Sequence, residues 1–172
     1  VSTVQMEYMY HKKAPQMLEV IAGLCAQASG ICENVIFSAA DASRAEEGFP
    51  AFVGPTFGGK SKIELINKSF DTPRILREAG VDIAIITDAP VIPIQYLPMC
   101  AGQAVQAGLP MEEGWKAITC NPAESSGIAD RVGSLEPGKD GDVGIWSADP
   151  LVNVGAHAVC TVIDGRIVHQ EG

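Results

Sequence analysis

Apolar residues recur at three- and four-residue steps from Ala14 to Ala28, through Met17, Val20, Ile21, Leu24 and Cys25. This spacing predicts an amphipathic helix, stopped by Gly30. Before it, the alternation Val1-Ser2-Thr3-Val4-Gln5-Met6-Glu7-Tyr8-Met9 reads as a strand over 3–9. After it, Val35-Ile36-Phe37 and Ala51-Phe52-Val53 are short β-like runs, with one or two helical turns expected over 43–47 between them. Thr72-Pro73 supplies a cap and a first-turn proline for a helix over 73–79, and Gly80 its left-handed stop. Val81 to Thr87 is then nearly continuous β-branched hydrophobe, the pattern of a parallel strand buried on both faces, with Asp88 at its carboxyl end.

Two helices are expected next, over 94–107 and 111–120. The second is opened by Pro110 and carries Glu112 and Glu113 in its first turn, where the helix dipole favours negative charge. Asn121-Pro122-Ala123-Glu124 repeats the order of cap, proline and acid for a short third helix. From Gly127 the period changes to two: 142–147, 158–163 and 166–169 read as short strands, the last two joined by an Asp164-Gly165 type I′ turn. Strands and helices thus alternate over 1–126, the order of an α/β fold with a parallel sheet, and 127–172 form a small all-β tail.

The chain has 172 residues, the length of one ordinary domain, with 12 Lys and Arg against 21 Asp and Glu, a formal charge of −9. That balance argues against nucleic acid, whose affinity comes largely from Lys and Arg displacing counterions. Apolar runs such as 81–87 fall far short of the roughly 20 residues of a membrane-spanning helix, so no membrane is expected. Five cysteines (Cys25, Cys32, Cys100, Cys120, Cys160) form no CxxC pair and sit in apolar segments, which reads as reduced core thiols in a cytoplasmic protein. Val1 leads directly into an alternating run with neither a basic leader nor an apolar signal core, as though the chain were part of a longer one.

Gly133-Ser134-Leu135-Glu136-Pro137-Gly138-Lys139-Asp140-Gly141-Asp142, preceded by Asn121-Pro122-Ala123-Glu124 and followed by Asp149-Pro150 and Asp164-Gly165, closely resembles the carboxyl end of metal-dependent amidohydrolases of the imidazolonepropionase group. Gly54-Pro55, Thr72-Pro73 and the run from Gly80 through Asp88 to Leu97 resemble the last part of the barrel of the same family. The resemblance covers about residues 50–170. It implies about the last four βα units of a (β/α)8 TIM-type barrel, together with a carboxyl-terminal segment of a small composite β-sandwich. A whole barrel needs roughly 250 residues, so a missing amino-terminal half or a second copy of the chain is the expected partner.

By the same resemblance Asp88 matches the eighth-strand aspartate, which binds metal or takes the proton from a metal-bound water. His11, after the strand expected over 3–9, falls where a fifth-strand histidine ligand would stand. The implied cofactor is a divalent metal, zinc first, and the implied substrate a small molecule with a non-peptide C–N bond. Two departures stand against this. Ser38-Ala39-Ala40-Asp41 follows Val35-Ile36-Phe37 where a sixth-strand histidine belongs, with Asp41 a poorly spaced substitute, and Ala89 replaces the histidine that usually follows the eighth-strand aspartate. The chain is therefore expected to be inactive alone, and the competing reading is a non-catalytic half-barrel that homo-oligomerises. Gly54-Pro55-Thr56-Phe57-Gly58-Gly59-Lys60-Ser61 also matches the letters of a phosphate-binding loop. Only a weak helix over 62–67 follows it, and the family resemblance accounts for the region without a nucleotide.

Overall fold

The computed structural model describes residues 11, 13–30, 50–55, 57 and 69–172, which fall in two compact units, 1–47 and 48–172. The strands expected over 3–9 and 35–37, the helical turns over 43–47, Asp41, and most of the phosphate-loop pattern with its following helix lie outside the described residues. In the first unit the predicted helix is present as α1 (Ala14–Ser29), with Met17 buried and Val20 and Leu24 exposed.

In the second unit β1 (Ala51–Val53) lies parallel to β2 (Ile83–Ile85), with Ala51 opposite Ile83 and Val53 opposite Ile85. Between them runs α2 (Thr72–Glu78), ended by Gly80 at φ +85° as expected. All three residues of β2 are buried, which is why its sequence shows no alternation. The strand is nevertheless shorter than the apolar run 81–87. Past Ile85 the Ile86 N–H still donates to the Val53 carbonyl (3.0 Å), but the Thr87 carbonyl accepts from Ile92 N–H and so belongs to the following turn.

The helix expected over 94–107 is broken in two. A 3-10 turn (Ile94–Tyr96) precedes α3 (Leu97–Gln106), because Pro98 has no N–H and fits only the first turn of an α-helix. The next, α4 (Met111–Lys116), ends four residues early, and α5 (Cys120–Ser125) follows. Ile83, Ile85, Ile92, Cys100, Ala101, Ala104, Leu109, Ala117 and Leu151 form the core of this unit. Leu151 belongs to the β-tail, so the tail is anchored into the helical layer. At the crossing, a Cβ on Gly102 of α3 would fall on the Leu151 carbonyl oxygen.

The tail itself is an antiparallel sheet of β3 (Val143–Trp146), β4 (Ala158–Ile163) and β5 (Arg166–Gln170), in that order. Asp164 and Gly165 both have positive φ (51° and 70°), the geometry of the expected type I′ turn. Ile145, Ile163, Ile167 and Val168 are exposed on this sheet.

Arg77 and Glu113 tie α2 to α4 through a 2.6 Å bond from Nε to Oε2, with Lys116 also on the carboxylate at 3.3 Å. The hydrogen bond from Arg77 holds the Glu113 carboxyl below the usual glutamate range, helped by Lys116 and opposed by partial burial. A depressed folded-state pKa contributes stability that is complete above the ordinary glutamate value of about 4.3 and is lost as pH falls through the folded value. Glu113→Gln is thus expected to lower stability by about 1 kcal/mol at neutral pH and to flatten the loss below pH ~4. Urea titrations of both proteins across pH 3 to 7 check this; parallel pH curves would remove Glu113 from the account.

Candidate active site

Parallel strands buried on both faces present their useful chemistry at their carboxyl ends, where loops and the last side chains open to solvent. Asp88 stands just past that end of β2, in the turn that follows it. Its φ of +52° is in the left-handed region that aspartate tolerates better than most residues, and its carbonyl accepts from Val91 N–H at 2.9 Å to close the turn. The residue is exposed, and among the described residues its carboxylate has no hydrogen-bond partner. Thr87 beside it is buried. An exposed carboxylate in a hydrogen-bonded turn just past a buried strand is suited to accept a proton or bind a cation.

His11 belongs to the first unit, where it precedes α1, is exposed and has a φ of +51°. Among the described residues no three His, Cys, Asp or Glu side chains cluster closely enough to hold a metal. Zinc takes at least three protein ligands in a catalytic site, so the described residues alone do not fit one. Asp88 supplies a single oxygen donor group.

The most recognisable motif of the sequence proves to be a clasp. Lys139 Nζ donates to Ser134 Oγ (2.6 Å) and pairs with Glu136, and Arg131 pairs with Asp140 at 2.6 Å. Asp142 Oδ1 accepts from the Asp164 N–H (2.8 Å), and Gly141 lies so close to Gly165 that a Cβ there would come within 2.9 Å of its nitrogen. The lysine and arginine pairs close the loop on itself, and the contacts of Asp142 and Gly141 join it to the β4–β5 hairpin. A groove between α3 and the tail is lined by Gln95, Tyr96, Met99, Gln103, Trp146 and Val154 among others, and the described residues bring no carboxylate, imidazole or thiol to it.

His157 and His169 lie in the tail. His157 Nδ1 is 3.2 Å from Ser147 Oγ and Nε2 is 3.3 Å from Glu171, a serine, histidine and acid in series that was not read from the sequence. The Ser147 N–H donates to the His157 carbonyl (2.9 Å) and the His157 N–H to Ser147 Oγ (3.1 Å), so this exposed group extends the β3–β4 pairing past its last ladder residue. Cys100, Cys120 and Cys160 are free thiols. Asn121, expected as a helix cap, instead donates through Nδ2 to the Ile83 carbonyl at 2.8 Å. The cap position is taken by Thr119, whose hydroxyl bonds back to Trp115.

Comparison with known proteins identifies the class. A family model for the amidohydrolase family matches residues 57–169, well over half of the chain. The chain belongs to the amidohydrolase family. It is 33% identical over 92 residues to an amidohydrolase of Hapsidospora irregularis, a match covering 54% of this chain and 9% of that protein. To the imidazolonepropionase of Geobacillus kaustophilus it is 33% identical over 116 residues, covering 63% of this chain and 27% of the relative. Among solved structures an amidohydrolase of Thermotoga maritima superposes with a TM-score of 0.68 at 37% identity, over 71% of this chain and 32% of that one. Within the family the sequence is imidazolonepropionase-like. The chain spans at most about a third of the length of these proteins. Among the described residues no helix is long and apolar enough to cross a membrane.

Proposed function

We propose that this chain is the part of a metal-dependent amidohydrolase that contributes the eighth-strand carboxylate, and that the assembled protein hydrolyses non-peptide C–N bonds of cyclic or linear amides. The observation that carries the reading is Asp88, an exposed carboxylate with no hydrogen-bond partner among the described residues, in the turn past the carboxyl end of a buried parallel strand, in a chain of this family. Its role is to take the proton from the attacking water and return it to the departing nitrogen. His11 is the proposed imidazole donor from this chain. The remaining donors for a divalent metal, zinc by the chemistry of an imidazole and carboxylate set, come from outside the described residues.

In this reading β1 and β2 are two strands of a (β/α)8 barrel, and the exposed apolar residues of β3–β5 meet strands of a composite sandwich. Either the rest of a longer polypeptide or a second chain supplies both. The chain alone is then inactive. Mixing it with a polypeptide corresponding to the amino-terminal two thirds of its relatives should yield hydrolysis of a cyclic amide such as an imidazolone, abolished by a chelator and restored by zinc. Hydrolysis by neither half alone and none by the mixture would overturn the proposal.

A second reading, a non-catalytic half-barrel that pairs with its own copy, is favoured by Ala89 and by the absence of histidine from 38–41. It predicts a metal-free homodimer that gains no activity on mixing.

A further inference from the structure

The outer edge of β2 is occupied by an unusual neighbour. Asp82 O accepts from Ala51 N–H and Ile86 N–H donates to Val53 O, so the even-numbered residues of β2 bond to β1 and the odd-numbered ones face away from it. On that far side Ile83 O accepts from Asn121 Nδ2 at 2.8 Å, and Ile85 N–H donates to Ala117 O at 2.8 Å. In a parallel sheet one residue of the neighbouring strand makes this same pair of bonds, its N–H to residue i−1 and its carbonyl to residue i+1. The corner between α4 and α5 therefore offers β2 the donor and acceptor of one strand residue, the donor from a side chain and the acceptor from the end of a helix.

We infer that Asn121 is a positioning residue: with the Ala117 carbonyl it stands in for a neighbouring strand along the outer edge of β2 and fixes the strand that leads into the Asp88 turn. Ile83 and Ile85 are both buried, so either backbone group left without a partner would give up its hydration with nothing in exchange. Strands of a closed barrel are staggered along its axis, so the first residues of one can lack a neighbour where the sheet closes. A cap limited to Ile83 and Ile85 fills that step and leaves the edge nearer Asp88 for a real strand. It also explains why α4 ends at Lys116 and not at Cys120: the Ala117 carbonyl is engaged by the sheet. The importance of Asn121 for Asp88 rests on the function proposed above; the cap itself does not.

The isosteric variant Asn121→Asp separates a specific donor from mere packing. At neutral pH its carboxylate only accepts, and faces the Ile83 carbonyl with no proton to offer; once protonated, the acid can donate again. Asn121→Leu keeps the size and can never donate. Asp82 and Glu124 line the same crevice and Glu113 lies on α4; all three are common to both variants, so the difference between the variants isolates position 121.

By hydrogen exchange of the full chain, followed residue by residue, the protection factor of the Ile85 amide should fall about tenfold in both variants at pH 7. It should recover in Asn121→Asp, but not in Asn121→Leu, as the pH falls through the titration of the new carboxyl group. Unchanged protection in Asn121→Asp at pH 7, or equal recovery in both variants, would overturn the cap. Should neither variant fold, a through-bond coupling between the Asn121 side-chain nitrogen and the Ile83 carbonyl carbon in the unaltered chain decides, its absence counting against the inference. If the cap holds and reconstitution yields no hydrolysis, only the proposed function fails; hydrolysis with an unaffected Ile85 amide refutes the cap alone.

Discussion

Asp88→Asn is expected to lower the turnover of the assembled hydrolase by about a thousandfold or more, with little change in the stability of this chain. The two effects separate because of where the side chain stands. Asp88 is exposed and its carboxylate makes no hydrogen bond among the described residues, so asparagine removes no structural contact. The left-handed backbone at φ +52° is retained, since asparagine tolerates it as well as aspartate does. What is lost is an anionic group able to accept a proton. Steady-state kinetics of the reconstituted protein, with thermal unfolding of the isolated chain, measure the two sides. A variant retaining more than about a tenth of the activity would show that another group takes the proton.

Gly102→Ala is expected to destabilise the second unit by about 3 kcal/mol, about 10 °C in midpoint for a unit of this size. The new methyl group would fall on the Leu151 carbonyl oxygen, with the carbonyl carbon 3.0 Å away. Backbone cannot rotate aside as a flexible side chain can. Relief would require α3 to move off the tail, which opens the core around Leu151. Leu151→Ala acts on the same junction differently, leaving a cavity at a cost of about 2–5 kcal/mol. Because the clash in Gly102→Ala is with backbone, shortening Leu151 should not rescue it. Thermal unfolding of both single variants and the double variant tests this. A double variant more stable than Gly102→Ala would mean that the tail is not held as described.

The elements whose signals are local were legible in the sequence. Helix α2 follows from its first-turn proline and Gly80, the β4–β5 hairpin from Asp164-Gly165, and the burial of β2 from an apolar run without alternation. Where tertiary contacts decide, reading fell short. The amphipathic pattern over 111–120 gives no sign that the Ala117 carbonyl would be taken by Ile85, so the end of α4 was misplaced. Asn121 followed by proline matches a helix cap in every local respect, and only the fold brings Ile83 to it. Of the proposed site, Asp88 is singled out by the family resemblance and by its place after the apolar run 81–87, although the strand itself ends at Ile85 and Asp88 lies in the turn beyond it. The motif that made the family recognisable spends its side chains on the tail, so recognition and chemistry lie in different parts of the chain.

The central claim, that Asp88 closes a strand facing a metal-binding pocket completed from outside these residues, is tested most directly by diffraction. Crystals of the reconstituted protein would be measured on both sides of the zinc absorption edge. The account predicts an anomalous peak about 2.0–2.2 Å from an Asp88 carboxylate oxygen. A catalytically active assembly in which that oxygen meets only solvent and the metal lies on other ligands would contradict it.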